Sequence, residues 1–357
     1  MSERSFTVRA GPRAAAHLRS RGLAPADIGC VPAAAGGPKG LALIPLDQRL
    51  FGRDGWLREV RLELIGASIG AWRMFCAAQV DAADALQRLA DGYVAQRYSR
   101  RPTPREVSDE CRKLAQAVLG GPRLPPLRAQ TAVQVLTTRA RGVLQGRASR
   151  AAFAQAALAN TWSRARLAAH MERVVFATGR SRVLDETGQR FDAFGLTLAP
   201  LRDDNAEDAL LASGSIPLVC EPVRDPAGVP RGDYWDGGLI DYHLLLPYAP
   251  AHADRLVLYP HFVPHLTPGW LDKFLPWRRR ADGHPWLANV LLIAPSPAFL
   301  ARLPNRKLPD RQDFYAYGLD HDGRQRDWRR AIAECERFAD EVMAWLQRPD
   351  PTLLQPL

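Results

Sequence analysis

The alternation of apolar and polar positions is clearest in one stretch, residues 60–72. Val60, Leu62 and Leu64 alternate with charged residues, which predicts a β-strand. From Ile69 onward apolar residues recur at helical spacing, which predicts a helix. Only a few small residues separate the two patterns. The stretch is therefore predicted to run as strand, sharp turn and helix in direct succession.

Similar patterns predict strands and helices along the rest of the chain. Strands are predicted at residues 6–9, 27–32, 174–178, 194–198 and 255–259, with a polar turn joining the third and fourth. Helices are predicted at residues 14–21, 41–51, 82–98, 106–119, 150–171, 204–212 and 326–347, while residues 132–144 are ambiguous but closest to a helix. Residues 80–172 therefore look like a helical insertion that covers one side of a sheet. The amphipathic stretch 326–347 is predicted to pack on the core.

The cysteines and the N-terminal sequence indicate the cellular compartment of the protein. The five cysteines are scattered and lack C-x-x-C spacing, which argues against a disulfide framework or a zinc site and favours a reducing compartment. The N-terminal residues do not resemble a signal peptide, and no apolar stretch is long enough to span a bilayer. We therefore expect a cytoplasmic protein with no metal.

The net charge of +10 comes mostly from arginine. A basic protein can bind nucleic acid or an anionic membrane surface. A genome that prefers arginine codons would produce the same excess without any function. Because no zinc finger, helix-turn-helix or RNP-type motif accompanies the charge, we expect no nucleic-acid partner.

The turn at residues 66–70 carries candidate chemistry. Gly66-Ala-Ser68-Ile-Gly70 fits the G-x-S-x-G pattern, and a strand before it with a helix after it is the context of a nucleophile elbow. Side chains at Gly66 or Gly70 would collide with the neighbouring strand or helix. The pattern also occurs by chance in Gly- and Ala-rich chains, so an ordinary strand-to-helix turn is the alternative.

A second glycine-rich loop, residues 33–40, lies between a predicted strand and a predicted helix. A phosphate-binding P-loop requires Ser or Thr after Gly-Lys, and this chain does not fit that pattern. An oxyanion hole needs only converging N–H donors, which Gly36 and Gly37 can supply, whereas Pro38 has none. Lys39 is expected to order the loop or to meet an anionic substrate group, unless it is simply solvated. A plain glycine turn is the remaining alternative.

Together with Asp236-Gly-Gly238, these motifs resemble the patatin-like phospholipase family. That family has a glycine-rich oxyanion loop, a G-x-S-x-G nucleophile and a D-G-[GA] aspartate, in this order. The segment 213–217 also resembles the small-residue stretch that precedes the aspartate. The resemblance covers about residues 28–260. The chain departs from it in the loop, where Ala34 and Ala35 replace an aspartate and a glycine and Lys39 replaces an arginine.

The resemblance implies a three-layer α/β/α fold with a central, mostly parallel sheet. It implies a catalytic domain at residues 1–260, including the insertion, and a C-terminal extension at residues 261–357. The implied activity is hydrolysis of a lipid or small acyl ester without a cofactor. Asp236 would activate Ser68 directly, and Gly36, Gly37 and Lys39 would form the oxyanion hole.

Two alternatives stay open. An α/β-hydrolase would use a Ser-Asp-His triad, for which His261 or His265 follows Asp236 and Asp254 in suitable order. However, Gly36 and Ser68 are only about 30 residues apart, which is tight for that fold. The other alternative is a catalytically inactive lipid-binding module on the same fold.

Residues 265–286 combine interfacial aromatic residues with basic ones. Trp270, Phe274, Trp277 and Trp286 lie close to Lys273 and residues 278–280, which are all arginine. Tryptophan favours the membrane interface, and basic residues favour anionic lipid. The stretch is therefore predicted to dock on the inner membrane surface. In the alternative, the tryptophans are buried against the C-terminal helix.

Overall fold

A computed structural model describes residues 4–146, 149–185 and 191–357. Within these residues the strands are β1 Phe6–Ala10, β2 Ile28–Ala33, β3 Leu62–Ala67, β4 Thr131–Ala140, β5 Met171–Ala177, β6 Gly195–Pro200, β7 Val223–Arg224, β8 Asp233–Asp236, β9 Leu256–Pro260, β10 Val290–Pro295 and β11 Leu354–Pro356. The helices are α1 Pro12–Arg21, α2 Ile44–Phe51, α3 Ile69–Ala77, α4 Ala82–Ala95, α5 Pro104–Leu119, α6 Arg150–Trp162, α7 Arg164–Leu167, α8 Arg182–Asp185, α9 Ala206–Gly214, α10 Tyr248–Ala251, α11 Pro297–Leu300, α12 Gln312–Tyr317 and α13 His321–Gln347. Short 3₁₀ turns include Gly37–Leu43 and Trp270–Phe274.

All strands in the described residues belong to one sheet, in the order β11-β1-β10-β9-β2-β3-β4-β5-β6, with β8 on β4 and β7 on β8. The centre of the sheet, β10-β9-β2-β3-β4, is parallel throughout. Antiparallel pairs occur only outside this centre, as in β1 with β10 and β4 with β5. Helices flank the sheet. The predicted class, a three-layer α/β/α fold with a mostly parallel sheet, is confirmed.

The central strands are buried on both faces, as parallel strands covered by helices must be. Every residue of β2 and of β3 is buried. Since β2, β3 and β4 run parallel, their carboxyl ends lie at one edge of the sheet, where open α/β sheets commonly bind ligands. The glycine-rich loop follows β2 and the G-x-S-x-G turn follows β3, so the two meet at this edge.

The helical interpretation of residues 132–144 is wrong. Residues 131–140 form β4, which pairs with β5 on one side and with β3 and then β8 on the other, and residues 142–144 form a short 3₁₀ turn. Burial of both faces removes the polar alternation that usually identifies a strand. The stretch 80–172 is therefore not wholly helical, because a central strand of the sheet lies within it. The helix predicted at 150–171 is also shorter, since it divides into α6 and α7 and then enters β5.

The C-terminal residues contribute to the same sheet. β10 lies between β1 and β9, and β11 pairs with β1. The predicted amphipathic helix is α13, which buries Cys335, Phe338, Val342 and Leu346 on the core. The domain boundary at residue 260 stays a prediction. Part of the polar turn predicted before β6, residues 186–190, lies outside the described residues.

No helix in the described part of the chain is long and apolar enough to cross a bilayer.

Helix α3 packs directly on backbone at the ends of β2 and β3. A methyl group at Gly70 would lie 1.9 Å from the carbonyl oxygen of Ala33, and one at Gly66 would lie 2.4 Å from the amide nitrogen of Ala71. Backbone atoms held in a sheet and a helix cannot move aside as flexible side chains can. The absence of side chains at both glycines therefore sets how closely α3 approaches the sheet.

We expect Gly70→Ala to destabilise the protein by about 3 kcal/mol, because the added methyl group forces α3 away from β2. Urea unfolding followed by circular dichroism measures the change in the free energy of unfolding. Gly121→Ala is the matched control, since a methyl group there has no atom within 4 Å, and its effect should stay within about 0.5 kcal/mol. Equal stability of the two variants would contradict the packing described here.

Candidate active site

Ser68 occupies the turn between β3 and α3. Its backbone has φ 56° and ψ −133°, a left-handed conformation that is strained for a residue with a side chain. The Ser68 N–H donates to Ser213 Oγ at 2.9 Å, and the Ser213 hydroxyl donates to the carbonyl of Leu136 at 2.7 Å. Ser213 therefore ties the strained turn to β4. A strained serine between strand and helix is the geometry of a nucleophile elbow.

Asp236 is the last residue of β8 and lies opposite Thr137 of β4. Its N–H donates to the carbonyl of Ser215 at 2.8 Å, and the Gly238 N–H donates to its Oδ1 at 2.7 Å. The segment 213–217 thus holds the turn through Ser213 and the aspartate through Ser215. This is a structural role for the stretch of small residues in the sequence.

The structure brings Ser68 and Asp236 together. Ser68 Oγ donates to Asp236 Oδ2 at 2.7 Å, and the two residues are only 4% and 5% exposed. Burial raises the pKa of Asp236 above its ordinary value. The hydrogen bond from Ser68, the charge of Arg311 and the Gly238 N–H oppose that rise. A carboxylate at this distance can accept the serine proton without an intervening histidine.

The glycine-rich loop supplies unpaired donors beside this pair. Gly37 has φ 58° and begins the 3₁₀ turn that precedes α2. Within the described residues, neither the Gly36 N–H nor the Gly37 N–H donates to a protein acceptor, whereas the N–H of Ala35 is bonded to the carbonyl of Tyr242. Gly37 and Ser68 line the same cavity. Gly36 lines neither cavity, so of the two glycines only Gly37 is placed in the wall beside Ser68, and the oxyanion role of both stays a prediction.

Two cavities meet at Ser68 and Asp236. The larger cavity has a volume of about 440 Å³ and includes Ser68 and Gly37 in its wall. The smaller cavity has a volume of about 270 Å³ and includes Asp236 and Gly238. Apolar and aromatic side chains dominate both walls, among them Ile69, Trp72, Tyr93, Tyr98, Leu114 and Phe314 in the larger cavity and Phe153, Met171, Leu239, Trp270 and Leu271 in the smaller one. Such walls suit an apolar ligand.

Arg311, at the N-terminal end of α12, lies against the loop. It lines both cavities, and a methyl group at Gly37 would lie 3.1 Å from Arg311 Nε. Lys39, by contrast, lines neither cavity. Its Nζ lies 5.5 Å from the centre of the Phe262 ring, and burial lowers its pKa. The role predicted for Lys39 stays a prediction. Sequence reasoning missed Arg311 because no motif surrounds it.

The histidines considered for a triad lie elsewhere. In the described residues no histidine is hydrogen-bonded to Ser68 or to Asp236. Nδ1 of His243 accepts the N–H of Thr267, and Nδ1 of His261 accepts that of Val263. Burial lowers the pKa of His243 well below its ordinary value and that of His261 to about 3.

His265, the other histidine considered for a triad, is half-buried. Its ring centre lies 6.3 Å from that of His243. Among the described residues, no group of three His, Cys, Asp or Glu side chains could hold a metal ion.

The aromatic stretch 265–286 is only partly exposed. Phe274 is 64% and Trp277 67% exposed. Trp270 packs against a buried cluster that includes Trp235 and Leu239, and Trp286 packs edge-on against Phe191. Helix α6 contacts the turn Trp270–Phe274, and its Leu158 is 62% and Trp162 70% exposed. We call Leu158, Trp162, Phe274 and Trp277 the apolar rim. None of the four lines the smaller cavity itself, although other residues of α6 and of the turn Trp270–Phe274 do.

Comparisons with known proteins do not assign a family. The sequence matches no model of a known protein family and no curated protein. Among solved structures, the chain is similar to VipD from Legionella pneumophila, with 13% sequence identity and a TM-score of 0.31. The similarity covers 74% of this chain but only 55% of VipD. At this distance the likeness supports no conclusion about activity.

Proposed function

We propose that the protein is a patatin-like serine hydrolase that cleaves lipid or small acyl esters. The observation that carries the proposal is the 2.7 Å hydrogen bond from Ser68 Oγ to Asp236 Oδ2, made on a strained turn where two apolar cavities meet. Ser68 is the nucleophile and Asp236 the base. The family resemblance of the three motifs supports the same roles.

The chemistry follows from the contacts. Asp236 takes the hydroxyl proton as Ser68 Oγ attacks the acyl carbon, and the carbonyl oxygen becomes an oxyanion. The N–H groups of Gly36 and Gly37 stabilise that oxyanion. The C–O bond to the alcohol then breaks, and the alcohol leaves with the proton from Asp236. Water then attacks the acyl-enzyme and gives one proton to the same carboxylate. As the bond between the acyl carbon and Ser68 Oγ breaks, Asp236 returns that proton to Ser68 and the carboxylic acid leaves.

The alternatives are less well supported. A triad requires a histidine between serine and aspartate, but the two side chains are bonded directly to each other. A lipid-binding module without activity does not need a buried serine–carboxylate pair or unpaired N–H groups beside it.

We expect Ser68→Ala to abolish ester hydrolysis and labelling by a fluorophosphonate probe, because no nucleophile remains. Asp236→Asn should lower the rate by about 10²- to 10⁴-fold, since an amide cannot take the proton. Hydrolysis of p-nitrophenyl esters of graded chain length measures both losses.

His243→Asn, His261→Asn and His265→Ala are the controls and should keep most of the activity. Circular dichroism establishes that each variant is folded. Fluorophosphonate labelling of the Ser68→Ala variant would show that Ser68 is not the nucleophile. A folded histidine variant as inactive as Ser68→Ala would favour the triad.

The pKa of Asp236 predicts the acid limb of the pH profile. Only the ionised carboxylate can act as base, so activity falls as the pH drops through the pKa of Asp236. Because burial raises that pKa, kcat/KM should begin to fall at a pH above the ordinary aspartate value of about 3.9. The same fall of kcat/KM at acidic pH should occur in His261→Asn. Full activity down to about pH 4 would contradict the assignment.

We further propose that the apolar rim docks on a lipid surface. Its side chains are exposed on α6 and in or next to the turn Trp270–Phe274, two elements that also line the cavity with Asp236, so docking there would bring that cavity near the bilayer. The exposed Arg279 and Arg280 lie next to the rim and suit anionic lipid headgroups. Arg278 has a structural role, because it bonds to the carbonyl of Thr161 on α6.

In flotation with phosphatidylcholine vesicles, we expect binding to increase when phosphatidylglycerol is added and to decrease with salt. Arg279→Ala with Arg280→Ala should weaken binding by about 1 kcal/mol per residue. Phe274→Ser with Trp277→Ser should weaken it on all vesicles, whereas Val80→Ser, at an exposed site elsewhere, should not. A protein that stays unbound on anionic vesicles at low salt would overturn the docking proposal.

A further inference from the structure

Arg311 lies where the two cavities meet. Only Arg311 and Ile216 line both cavities in the described residues. The guanidinium lies against Gly37, whose N–H is a candidate oxyanion donor, and its charge acts on Asp236. The cation therefore lies beside the loop that the proposed mechanism assigns to the oxyanion hole.

Arg311 is half-buried, and its side chain makes no hydrogen bond or salt bridge within the described residues. The nearest acidic residues on its own segment are already paired, since Lys307 Nζ lies 2.8 Å from Asp310 and 2.7 Å from Asp313. Asp313 also accepts the indole N–H of Trp328. A half-buried guanidinium with five donors and no acceptor is suited to a ligand that supplies one.

The walls of the cavities offer no competing anion except the base itself. Among the described residues, no Asp or Glu lines the larger cavity, and Asp236 is the only one in the smaller cavity. Asp236 is occupied by hydrogen bonds from Ser68 and Gly238. Further cations line the cavities, Arg100 in the larger and Arg150 in the smaller. An anionic group near Arg311 would therefore be attracted without meeting a like charge other than Asp236.

We propose that Arg311 is a specificity-determining residue that binds an anionic group of the substrate, a phosphate or a carboxylate placed a few bonds from the scissile ester. The inference rests on the proposed hydrolase function and names the substrate class of that site. Arg311 selects amphiphiles with an apolar chain and an adjacent negative charge over neutral esters of the same length. The planar guanidinium can bind either a phosphate or a carboxylate through two parallel hydrogen bonds.

The test compares esters that share one octanoyl chain and differ only in the alcohol. Glycerol 3-phosphate and a 3-hydroxy acid give the two anionic arms, and glycerol and propanol give their neutral counterparts. The measured quantity is the ratio of kcat/KM for the anionic ester to that for the neutral one. This ratio cancels any change in absolute rate that arises because the Arg311 charge also acts on Asp236.

We expect Arg311→Gln to lower the ratio by about 10- to 100-fold, because a bond to a charged group is lost. Arg311→Lys should restore part of it. Arg302→Gln removes an exposed arginine that lines neither cavity, and its ratio should match that of the wild type. A fall in the phosphate arm alone identifies phosphate, and a fall in both arms identifies oxyanions in general. An unchanged ratio in Arg311→Gln overturns the proposal, even if the hydrolase function stands.

A binding measurement separates this inference from the proposed activity. Octyl phosphate and octanol are titrated calorimetrically into Ser68→Ala protein, which needs no turnover. Octyl phosphate should bind at least 10-fold more tightly than octanol, and Arg311→Gln in the same background should abolish the difference. Equal binding of both compounds would overturn the role of Arg311 whether or not the wild type hydrolyses esters. If the wild type binds octyl phosphate tightly but hydrolyses no ester, the proposed hydrolase function is wrong and the anion-binding role of Arg311 stands.

Discussion

The site depends on the direct backbone contact between α3 and the carboxyl ends of β2 and β3. With no side chain at Gly70, α3 lies against the carbonyl of Ala33, and the loop after β2 comes beside the turn that carries Ser68. A larger separation would move the donors of the loop away from the serine. A buried ion pair, Arg73 on α3 with Asp47 on α2, at 2.7 Å, holds the helix after the loop to the helix after the turn. Both partners are fully desolvated, so losing either one would leave an uncompensated charge.

The strain at Ser68 is compensated by its surroundings. A left-handed backbone at a non-glycine residue costs on the order of 1–3 kcal/mol. The hydrogen bonds through Ser213 and from Ser68 Oγ to Asp236 offset it, at about 1 kcal/mol each, and more where the acceptor is charged. Because Asp236 takes part in this balance, the proposed base also helps to hold the proposed nucleophile in place. In the proposed mechanism, one hydrogen bond serves both the stability of the turn and the transfer of the proton.

The parts of the fold that sequence could predict are those with local signals. The β3–turn–α3 unit and α13 have clear periodicity, and the Asp236 motif lies at the end of a short strand. β4 was missed because both of its faces are buried, which removes the alternation of apolar and polar positions that identifies a strand. Tertiary pairing with β3, β5 and β8 decides between helix and strand, and no local pattern encodes that pairing. Arg311 is harder still, since its contact with Gly37 joins distant parts of a chain that is rich in arginine.

The cationic groups at the rim and at Arg311 would act at different steps, because solvent screens them differently. Arg279 and Arg280 are exposed, so salt at about 0.1 M weakens their attraction to a charged surface beyond roughly 10 Å. Arg311 is half-buried between apolar walls, where screening is weaker and a charge interacts more strongly. Ionic strength should therefore control whether the protein reaches a lipid surface far more than which molecule it accepts there. The excess of arginine in the composition does not distinguish surface attraction from binding of a substrate anion. The burial of Arg311, and the lack of a partner for it among the described residues, do distinguish them.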